Sequence, residues 1–342
     1  MLLKAPLEVF WCVTNRCNLH CRFCSADSGS ESVQREADIM ERGFILDQII
    51  QNRVLKVYLT GGEPLLCPQT IDYIKVLSGH KIFVELTTNG TLLDEKTVRD
   101  LKAYGINRVQ VSINGSSPEI NDGLMGASFD LILTGLNKLI EHKINTHVKV
   151  TITRHNLTDI PNLIRLLLNM GLNQMELFEV IPLGRGFLHY SELRPDESEL
   201  MALREHIAGL GSGHKIRFRS FSLAMKENDQ ASACSIGHQR SRTCLIMADG
   251  NVIPCAPAQV WNFNNNVLEK GLSRCWHALE DYRQCLAPKR LGGKCGNCDL
   301  QESCGGGCRA LAYQFTNDLW AEYTLCPHIK GLRIYNYTVF QE

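Results

Sequence analysis

The feature that most constrains the fold is a sixfold recurrence of short, β-branched apolar segments with amphipathic helix patterns between them. The predicted strands span residues 7–13, 54–60, 81–87, 107–113, 146–152 and 174–181. Helix patterns at 95–105, 129–143 and 157–171 lie between strands, and glycine ends the first and last of these three. This alternation indicates parallel strands with right-handed crossovers, and therefore an α/β fold. Periodicity alone leaves open whether the strands form an open doubly wound sheet or an incomplete barrel.

The alternation fades after residue 186. A charged helix pattern at 194–209 follows, and from about Cys234 onward the chain is rich in Gly, Cys and Asn with few long apolar runs. That composition is typical of a small domain held together by metal. We therefore predict three parts: a main α/β domain over residues 1–190, a linker over 191–230 and a metal-bound domain over 231–342.

Charge and hydropathy give no support to several classes of partner. The 342 residues include 36 basic and 36 acidic side chains, so no net charge draws the chain to nucleic acid or to an anionic membrane. No apolar run approaches the roughly 18 residues of a membrane span, and Lys4, Pro6 and Glu8 interrupt any signal-peptide core. We therefore expect a cytoplasmic protein with neither nucleic acid nor membrane as a partner.

Fifteen cysteines are unusual in such a chain, because a reducing cytoplasm does not maintain structural disulfides. They fall into an N-terminal group and a C-terminal group of ten, and no cysteine occurs between Cys67 and Cys234. In this setting thiols are more often metal ligands or reactive groups. Two separate groups predict two separate metal regions.

The first metal region is the segment CNLHCRFC, which places Cys17, Cys21 and Cys24 in a C-x3-C-x2-C run. Three thiolates on one loop can each hold a corner of a cubane iron-sulfur cluster and leave the fourth iron without a protein ligand. The alternative is a tetrahedral zinc site, which His20 could complete.

A second segment, GGEP at residues 61–64, follows the second predicted strand. At the carboxyl end of a parallel strand, glycines let the backbone approach a ligand closely, and Glu63 with nearby backbone groups can accept hydrogen bonds from an ammonium. A tight strand-to-helix turn is the alternative interpretation.

Together the two segments strongly resemble the radical S-adenosylmethionine (SAM) enzymes. The resemblance implies an α/β fold with a partial (β/α)6, TIM-like barrel, in which Cys17, Cys21 and Cys24 bind a [4Fe-4S] cluster and SAM chelates its open iron. The implied reaction is one-electron reduction of the cluster, reductive cleavage of SAM to a 5′-deoxyadenosyl radical, and abstraction of hydrogen from a substrate. It also implies a one-electron donor such as flavodoxin or ferredoxin.

The same resemblance assigns residues to the cofactor. The predicted cofactor-binding residues are Phe23, Gly61, Gly62, Glu63, Pro64, Asn89 and Ser112. Phe23 takes the aromatic position near the adenine, and Ser112 would contact the ribose or carboxylate. Asn89 is equally well explained as a turn residue with positive φ. Asn114 stands where the family usually has Asp, which leaves the polar contacts of that segment open.

The C-terminal cysteines resemble the SPASM extension of radical SAM maturases, through CSIGHQRSRTCLIMADGNVIPC and KCGNCDLQESCGGGCRALAYQFTND. That resemblance implies two auxiliary [4Fe-4S] clusters, and hence three per chain. The inner cluster would be held by Cys234, Cys244, Cys255 and Cys308, and the outer one by Cys295, Cys298, Cys304 and Cys326. Complete ligation favours electron transfer for both. If Cys234 or Cys244 did not ligate, the inner cluster would instead have an open iron.

Three further residues carry expectations that depend on their position. Cys12 lies in a predicted core strand and Cys67 opens a helix, so both are interpreted as structural. Arg185, after the sixth strand, could hold a substrate carboxylate or make a surface contact.

The function that the resemblance implies is hydrogen abstraction from a peptide or protein side chain, since many relatives are peptide maturases. Within the same class, the alternative is small-molecule biosynthesis, as in tetrapyrrole side-chain or sugar-nucleoside decarboxylases. Only sixteen residues precede Cys17, so we expect no N-terminal peptide-recognition domain, which favours this alternative. A non-catalytic iron-sulfur electron carrier is the third hypothesis.

Overall fold

The computed structural model describes residues 3–31, 34–126, 128–210, 214–219, 242–261, 263–285 and 291–326. One predicted metal ligand, Cys234, lies outside these ranges, so its role as a cluster ligand stays a prediction.

The described strands form one sheet of nine strands in the order β7-β6-β5-β4-β3-β2-β1-β8-β9. Their bounds are β1 Glu8–Cys12, β2 Lys56–Thr60, β3 Phe83–Thr88, β4 Arg108–Ser112, β5 Thr146–Ile152, β6 Gln174–Glu179, β7 Lys215–Arg219, β8 Thr243–Ile246 and β9 Val252–Ile253. Adjacent strands from β7 through β8 pair in parallel, and β9 runs antiparallel to β8.

Helices connect the parallel strands, as the crossover rule requires. In the main domain they are α1 Ile39–Gln51, α2 Thr70–Gly79, α3 Glu95–Ala103, α4 Pro118–Met125, α5 Phe129–Glu141, α6 Ile160–Asn169, α7 Arg185–Leu188, α8 Tyr190–Leu193 and α9 Glu197–Gly209. Those that follow are α10 Val267–Lys270, α11 Leu272–Cys285, α12 Gly293–Gly296, α13 Gln301–Cys304 and α14 Arg309–Thr316. Asp38 begins α1 with a capping box, its carboxylate accepting from the backbone N–H of Glu41.

The sheet has one apolar face and one polar face because side chains alternate along each strand. Valine and leucine residues such as Val57, Leu86 and Val148 are fully buried on the apolar face, under the helices. On the opposite face, Glu85 of β3 pairs with Lys56 of β2 and Arg108 of β4. This second surface, the polar face, is the one that remains for chemistry.

All six predicted strands and the predicted α/β fold are confirmed. The sheet also continues past residue 190: β7 adds to β6 from within the predicted linker, and β8 adds to β1 from the C-terminal part. The domain bounds themselves stay a prediction. Within the described part of the chain, no helix is both long and apolar enough to cross a membrane.

Candidate active site

The predicted site residues gather at the carboxyl ends of the first four strands. The three-cysteine loop follows β1, GGEP follows β2, Asn89 follows β3, and Ser112 ends β4. In parallel α/β sheets the carboxyl ends of the strands share one edge, where ligands bind. The fold therefore brings together four segments that are far apart in sequence.

The thiols of Cys17, Cys21 and Cys24 are close enough to interact electrostatically. Burial raises the pKa of Cys21 to about 12, and the neighbouring thiols of Cys24 and Cys17 raise it further. Among the described residues, no three His, Cys, Asp or Glu side chains approach closely enough to hold a single metal ion. His20, the alternative zinc ligand, has an exposed side chain.

Two hydrogen bonds are directed at the sulfur of Cys17. The backbone N–H of Leu19 lies 3.4 Å from it and the side-chain amide of Asn89 lies 3.8 Å from it. N–H donors to sulfur favour the thiolate, which is the form that binds iron. The three cysteines thus fit the ligand set of an iron-sulfur cluster, and Asn89 supports the loop that carries them.

The glycines of GGEP are required by the cysteine loop. A Cβ on Gly61 would lie 2.2 Å from the carbonyl oxygen of Thr14, and one on Gly62 would lie 2.2 Å from that of Arg16. Gly61 also has a φ of 144°, which side chains rarely allow. The backbone N–H of Gly62 donates to Thr14, and that of Glu63 donates to Arg16. The sequence predicts that these glycines let the backbone come close to a ligand, whereas the contacts that require them are with the neighbouring loop.

The carboxylate of Glu63 is fully buried and holds three loop groups. It accepts from the backbone N–H of Asn89 at 2.7 Å, from the hydroxyl of Thr88 at 2.8 Å and from the backbone N–H of Leu65 at 3.0 Å. Burial raises the pKa of Glu63 to about 7, although these three donors act against that shift. Glu63 therefore fixes the end of β3 against the GGEP loop. Its predicted contact with the cofactor stays a prediction.

Arg185 fulfils neither role expected from its position. Its side chain is buried and donates to the carbonyl oxygen of Cys21 at 2.9 Å and that of Ser28 at 2.6 Å. It also forms an ion pair with Asp27 at 2.7 Å. Both the substrate-carboxylate and surface-contact hypotheses are therefore wrong, because the guanidinium is used to clamp the cysteine loop from the far end of the sheet.

Two glycines beside Arg185 allow this clamp. A Cβ on Gly184 would lie 2.6 Å from the carbonyl oxygen of Cys24, and one on Gly186 would lie 3.1 Å from that of Phe23. Sequence reasoning missed this contact. The signal that could have found it is the GRG pattern after the sixth strand, since two glycines around an arginine indicate close backbone approach.

The remaining predicted cofactor residues lie at the same edge. Phe23 and Ser112 are partly buried, and Pro64 is buried at the start of a short 3-10 turn. Asn114, where the family usually has Asp, is fully engaged: its side chain accepts from the backbone N–H of Thr151 at 2.6 Å and donates to Met125. The side-chain amide of Asn114 therefore links the end of β4 to α4 and to β5.

The predicted outer-cluster ligands converge on one cavity. A small cavity is lined by Cys295, Cys298, Cys304 and Cys326, together with Tyr323 and Gly306. The thiols of Cys295 and Cys298 raise the pKa of Cys304, after the larger effect of burial. Four thiols around one space fit the ligand set of a cubane cluster.

Three of the four predicted inner-cluster ligands are described. Cys255 and Cys308 are partly buried, whereas Cys244 is fully buried on β8. Cys244 pairs in register with Val9, so its thiol lies on the apolar face of the sheet. Their joint ligation stays a prediction.

A large cleft lies between the cysteine loop and the C-terminal part. It measures about 730 Å³ and is lined by Gly61 of GGEP, Ser25 of the cysteine loop, and Trp261 and Phe263 from beyond β9. Cys12 also lines it and is absent from the buried core, so the expectation that Cys12 is a core residue is wrong. Cys67, by contrast, is buried as expected.

Comparison with known proteins gives the same picture. Residues 11–167 match the radical SAM superfamily. The chain is similar to the AdoMet-dependent heme synthase of Methanosarcina barkeri, with 28% identity over 96% of this chain and 99% of the relative. It is also similar to the PqqA peptide cyclase of Streptomyces rochei, with 26% identity over 95% of this chain and 91% of the relative.

The fold is similar to a solved structure. SuiB of Streptococcus suis bound to S-adenosylmethionine superposes with a TM-score of 0.78 at 20% identity, over 95% of this chain and 78% of that one. The similarity extends well beyond residue 167, so the C-terminal part shares the neighbour's architecture as well.

Proposed function

We propose that this chain is a radical SAM enzyme, because residues 11–167 match that superfamily, and that it abstracts hydrogen from a peptide or protein side chain. The observation that carries the enzymatic assignment is the convergence of three thiols with the GGEP loop at one sheet edge. When bound, the [4Fe-4S] cluster and SAM supply a 5′-deoxyadenosyl radical.

The chain's own residues prepare the site in three ways. Cys17, Cys21 and Cys24 offer thiolates to one cluster, with Asn89 donating to the first of them. Arg185 holds the backbone of the cysteine loop through its hydrogen bonds to the carbonyl oxygens of Cys21 and Ser28. The GGEP backbone lies against the same loop, which would place SAM's ammonium beside the open iron.

The proposal includes two auxiliary clusters. The cavity lined by Cys295, Cys298, Cys304 and Cys326 supports the outer one directly. The inner one, on Cys234, Cys244, Cys255 and Cys308, depends on the sequence resemblance alone. With four thiolates each, both would transfer electrons, and a one-electron donor such as flavodoxin or ferredoxin would supply them.

A peptide substrate agrees with the size of the cleft beside the cysteine loop. Its aromatic lining includes Trp261 and Phe263, whose ring centroids are 6.0 Å apart. An apolar wall facing a polar loop suits an extended segment with mixed side chains. The name of the PqqA peptide cyclase relative also supports a peptide.

A tetrapyrrole is the second candidate substrate. The heme synthase relative is matched over 99% of its length, so this chain needs no extra segment to cover that enzyme.

One experiment separates these two candidates. Reconstituted enzyme, reductant and SAM are incubated with the short-peptide fraction of its own cells, or with an iron-loaded propionate porphyrin, beside the Cys17→Ala variant. A peptide whose mass falls by the hydrogens removed supports the proposal. Loss of carbon dioxide from the porphyrin, with every peptide mass unchanged, would replace it.

A further inference from the structure

A hydrogen bond crosses the cleft between the C-terminal part and the cysteine loop. The side-chain amide of Gln259 donates to the backbone carbonyl oxygen of Ser25 at 2.7 Å, although the two residues are 234 positions apart in sequence. Both residues line the cleft. Ser25 directly follows Cys24, the last of the three predicted ligands of the cluster on this loop. The C-terminal part therefore holds the chain at the position next to a cluster ligand.

The connection between β6 and α7 holds the same segment from another side. A Cβ on Gly184 would lie 2.9 Å from the carbonyl carbon of Ser25, so the two backbones are in close contact. The backbone N–H of Gly186 donates to the carbonyl oxygen of Cys24 at 3.4 Å. Ser25 is thus held both by this connection and by Gln259. Without Gln259, the bond from the C-terminal part would be lost while the contacts from the β6 side remained.

The turn that carries Gln259 is itself fixed by packing. It is a 3-10 turn over Ala256–Val260, and Ala258 within it is fully buried. The backbone N–H of Trp261 donates to the carbonyl oxygen of Ala258 at 3.0 Å and ends the turn. The ring of Trp261 packs edge-on against Tyr313 of α14, with centroids 6.2 Å apart. Because buried contacts fix the turn, Gln259 can hold the cysteine loop in place.

The C-terminal part also holds the chain beyond the cysteine loop. The backbone N–H of Ala37 donates to the carbonyl oxygen of Ala248 at 2.7 Å, and the guanidinium of Arg35 donates to that of Asp249 at 3.1 Å. Both acceptors lie in the connection between β8 and β9. These bonds do not involve Gln259, so its loss should shift the loop locally without detaching the C-terminal part.

We propose that Gln259 is a positioning residue for SAM binding. By holding the carbonyl oxygen of Ser25, it keeps Cys24 in the geometry in which the cluster on the cysteine loop accepts SAM. This rests on the proposed function, in which that loop carries the SAM-binding cluster. Hydrogen bonds made by residues around a metal site orient the ligands, and their loss weakens the site without removing a ligand. The C-terminal part thereby contributes to the affinity for SAM as well as lining the cleft.

The test compares anaerobically reconstituted full-length wild type with Gln259→Met, Gln259→Lys and the control Gln48→Met. Methionine has nearly the length of glutamine but no donor, and lysine restores a donor. Gln48 accepts from the backbone N–H of Leu272 at 3.0 Å, so its bond also joins the two parts of the chain, but through α1 and α11. Iron analysis and urea unfolding report cluster content and stability. Equilibrium dialysis with labelled SAM gives the Kd, and electron paramagnetic resonance records the change that SAM induces in the reduced cluster with an open iron.

We expect Gln259→Met to raise the Kd for SAM roughly three- to tenfold, the effect of one lost hydrogen bond, and to alter the SAM-induced spectrum at unchanged iron content. Gln259→Lys should recover most of the affinity. Gln48→Met should bind SAM as the wild type does, even where its unfolding midpoint falls as far. Equal Kd values for wild type and Gln259→Met would overturn the proposal, as would an equal rise in Gln48→Met. A wild type that bound no SAM would instead refute the proposed function, so the two failures are distinguishable.

Discussion

At the residue scale, the site depends on groups that contact other loops before they contact any ligand. Gly61 and Gly62 permit backbone contact with the cysteine loop, and Glu63 binds the end of β3 from within the protein. A change at these positions therefore acts on the geometry of the whole edge.

We expect Gly62→Ala to displace the cysteine loop. The added Cβ would lie 2.2 Å from the carbonyl oxygen of Arg16, a backbone atom that cannot rotate away. The expected loss is about 1–3 kcal/mol in the free energy of unfolding, with reduced iron retention. Gly43→Ala is the matched control: it lies in α1 with nothing near its Cβ and should stabilise by about 0.5–1 kcal/mol. Equal unfolding midpoints for the two variants would contradict this explanation.

Glu63 predicts a pH dependence of stability in the cluster-free protein. Its pKa rises from 4.5 to about 7 on folding, so the unfolded chain loses this proton at a lower pH than the folded protein does. The contribution of protonated Glu63 to the free energy of unfolding is complete below pH 4.5 and declines as the pH rises to about 7. Above that pH it no longer changes, and the total loss is roughly 3 kcal/mol. Urea unfolding of wild type and Glu63→Gln between pH 4 and 8 measures this difference. Parallel stability curves would show that Glu63 is not the source.

At the element scale, the site is assembled by strand ends and closed by a short helix. The sequence predicted the four strands whose carboxyl ends form the active site, because β-branched runs and glycine stops are local signals. It did not predict which face each strand turns to the site. Cys12 was assigned to the core because its neighbours are apolar, whereas its register with Thr60 places it on the polar face.

The clamp of α7 predicts a specific weakness. Arg185→Ala removes the donors to Cys21 and Ser28, and should destabilise the protein by about 2 kcal/mol or more. Iron retention on the cysteine loop should fall with it. Arg99→Ala, at an exposed ion pair on α3, should change little. Thermal unfolding and iron analysis of both variants test this prediction. Retention of full iron by Arg185→Ala would refute the clamp.

At the scale of the whole molecule, residues distant in sequence meet through topology. Arg185 is 164 residues from Cys21 and reaches it only because the end of β6 approaches the loop after β1. No local sequence pattern encodes that contact. The spacing of the cysteines, by contrast, is a local pattern that can be recognised in the sequence alone. Four of the C-terminal thiols, the same four that the SPASM resemblance assigns to the outer cluster, line one cavity.

That cavity predicts the iron content. Cys326→Ala should lower bound iron by about four atoms per chain, the content of one cubane cluster. Cys67→Ala removes a buried thiol that is not a predicted ligand of any cluster, and should leave the iron unchanged. Iron and sulfide analysis of reconstituted protein measures both. Unaltered iron in Cys326→Ala would remove the outer cluster from the account.

The central claim is that the three-cysteine loop generates a radical from SAM. The most direct measurement is formation of 5′-deoxyadenosine by anaerobically reconstituted protein with reductant and SAM. We predict product from the wild type and from Cys67→Ala, and none above background from Cys17→Ala, Cys21→Ala or Cys24→Ala. Absence of product from the wild type, or equal product from Cys17→Ala, would contradict the account.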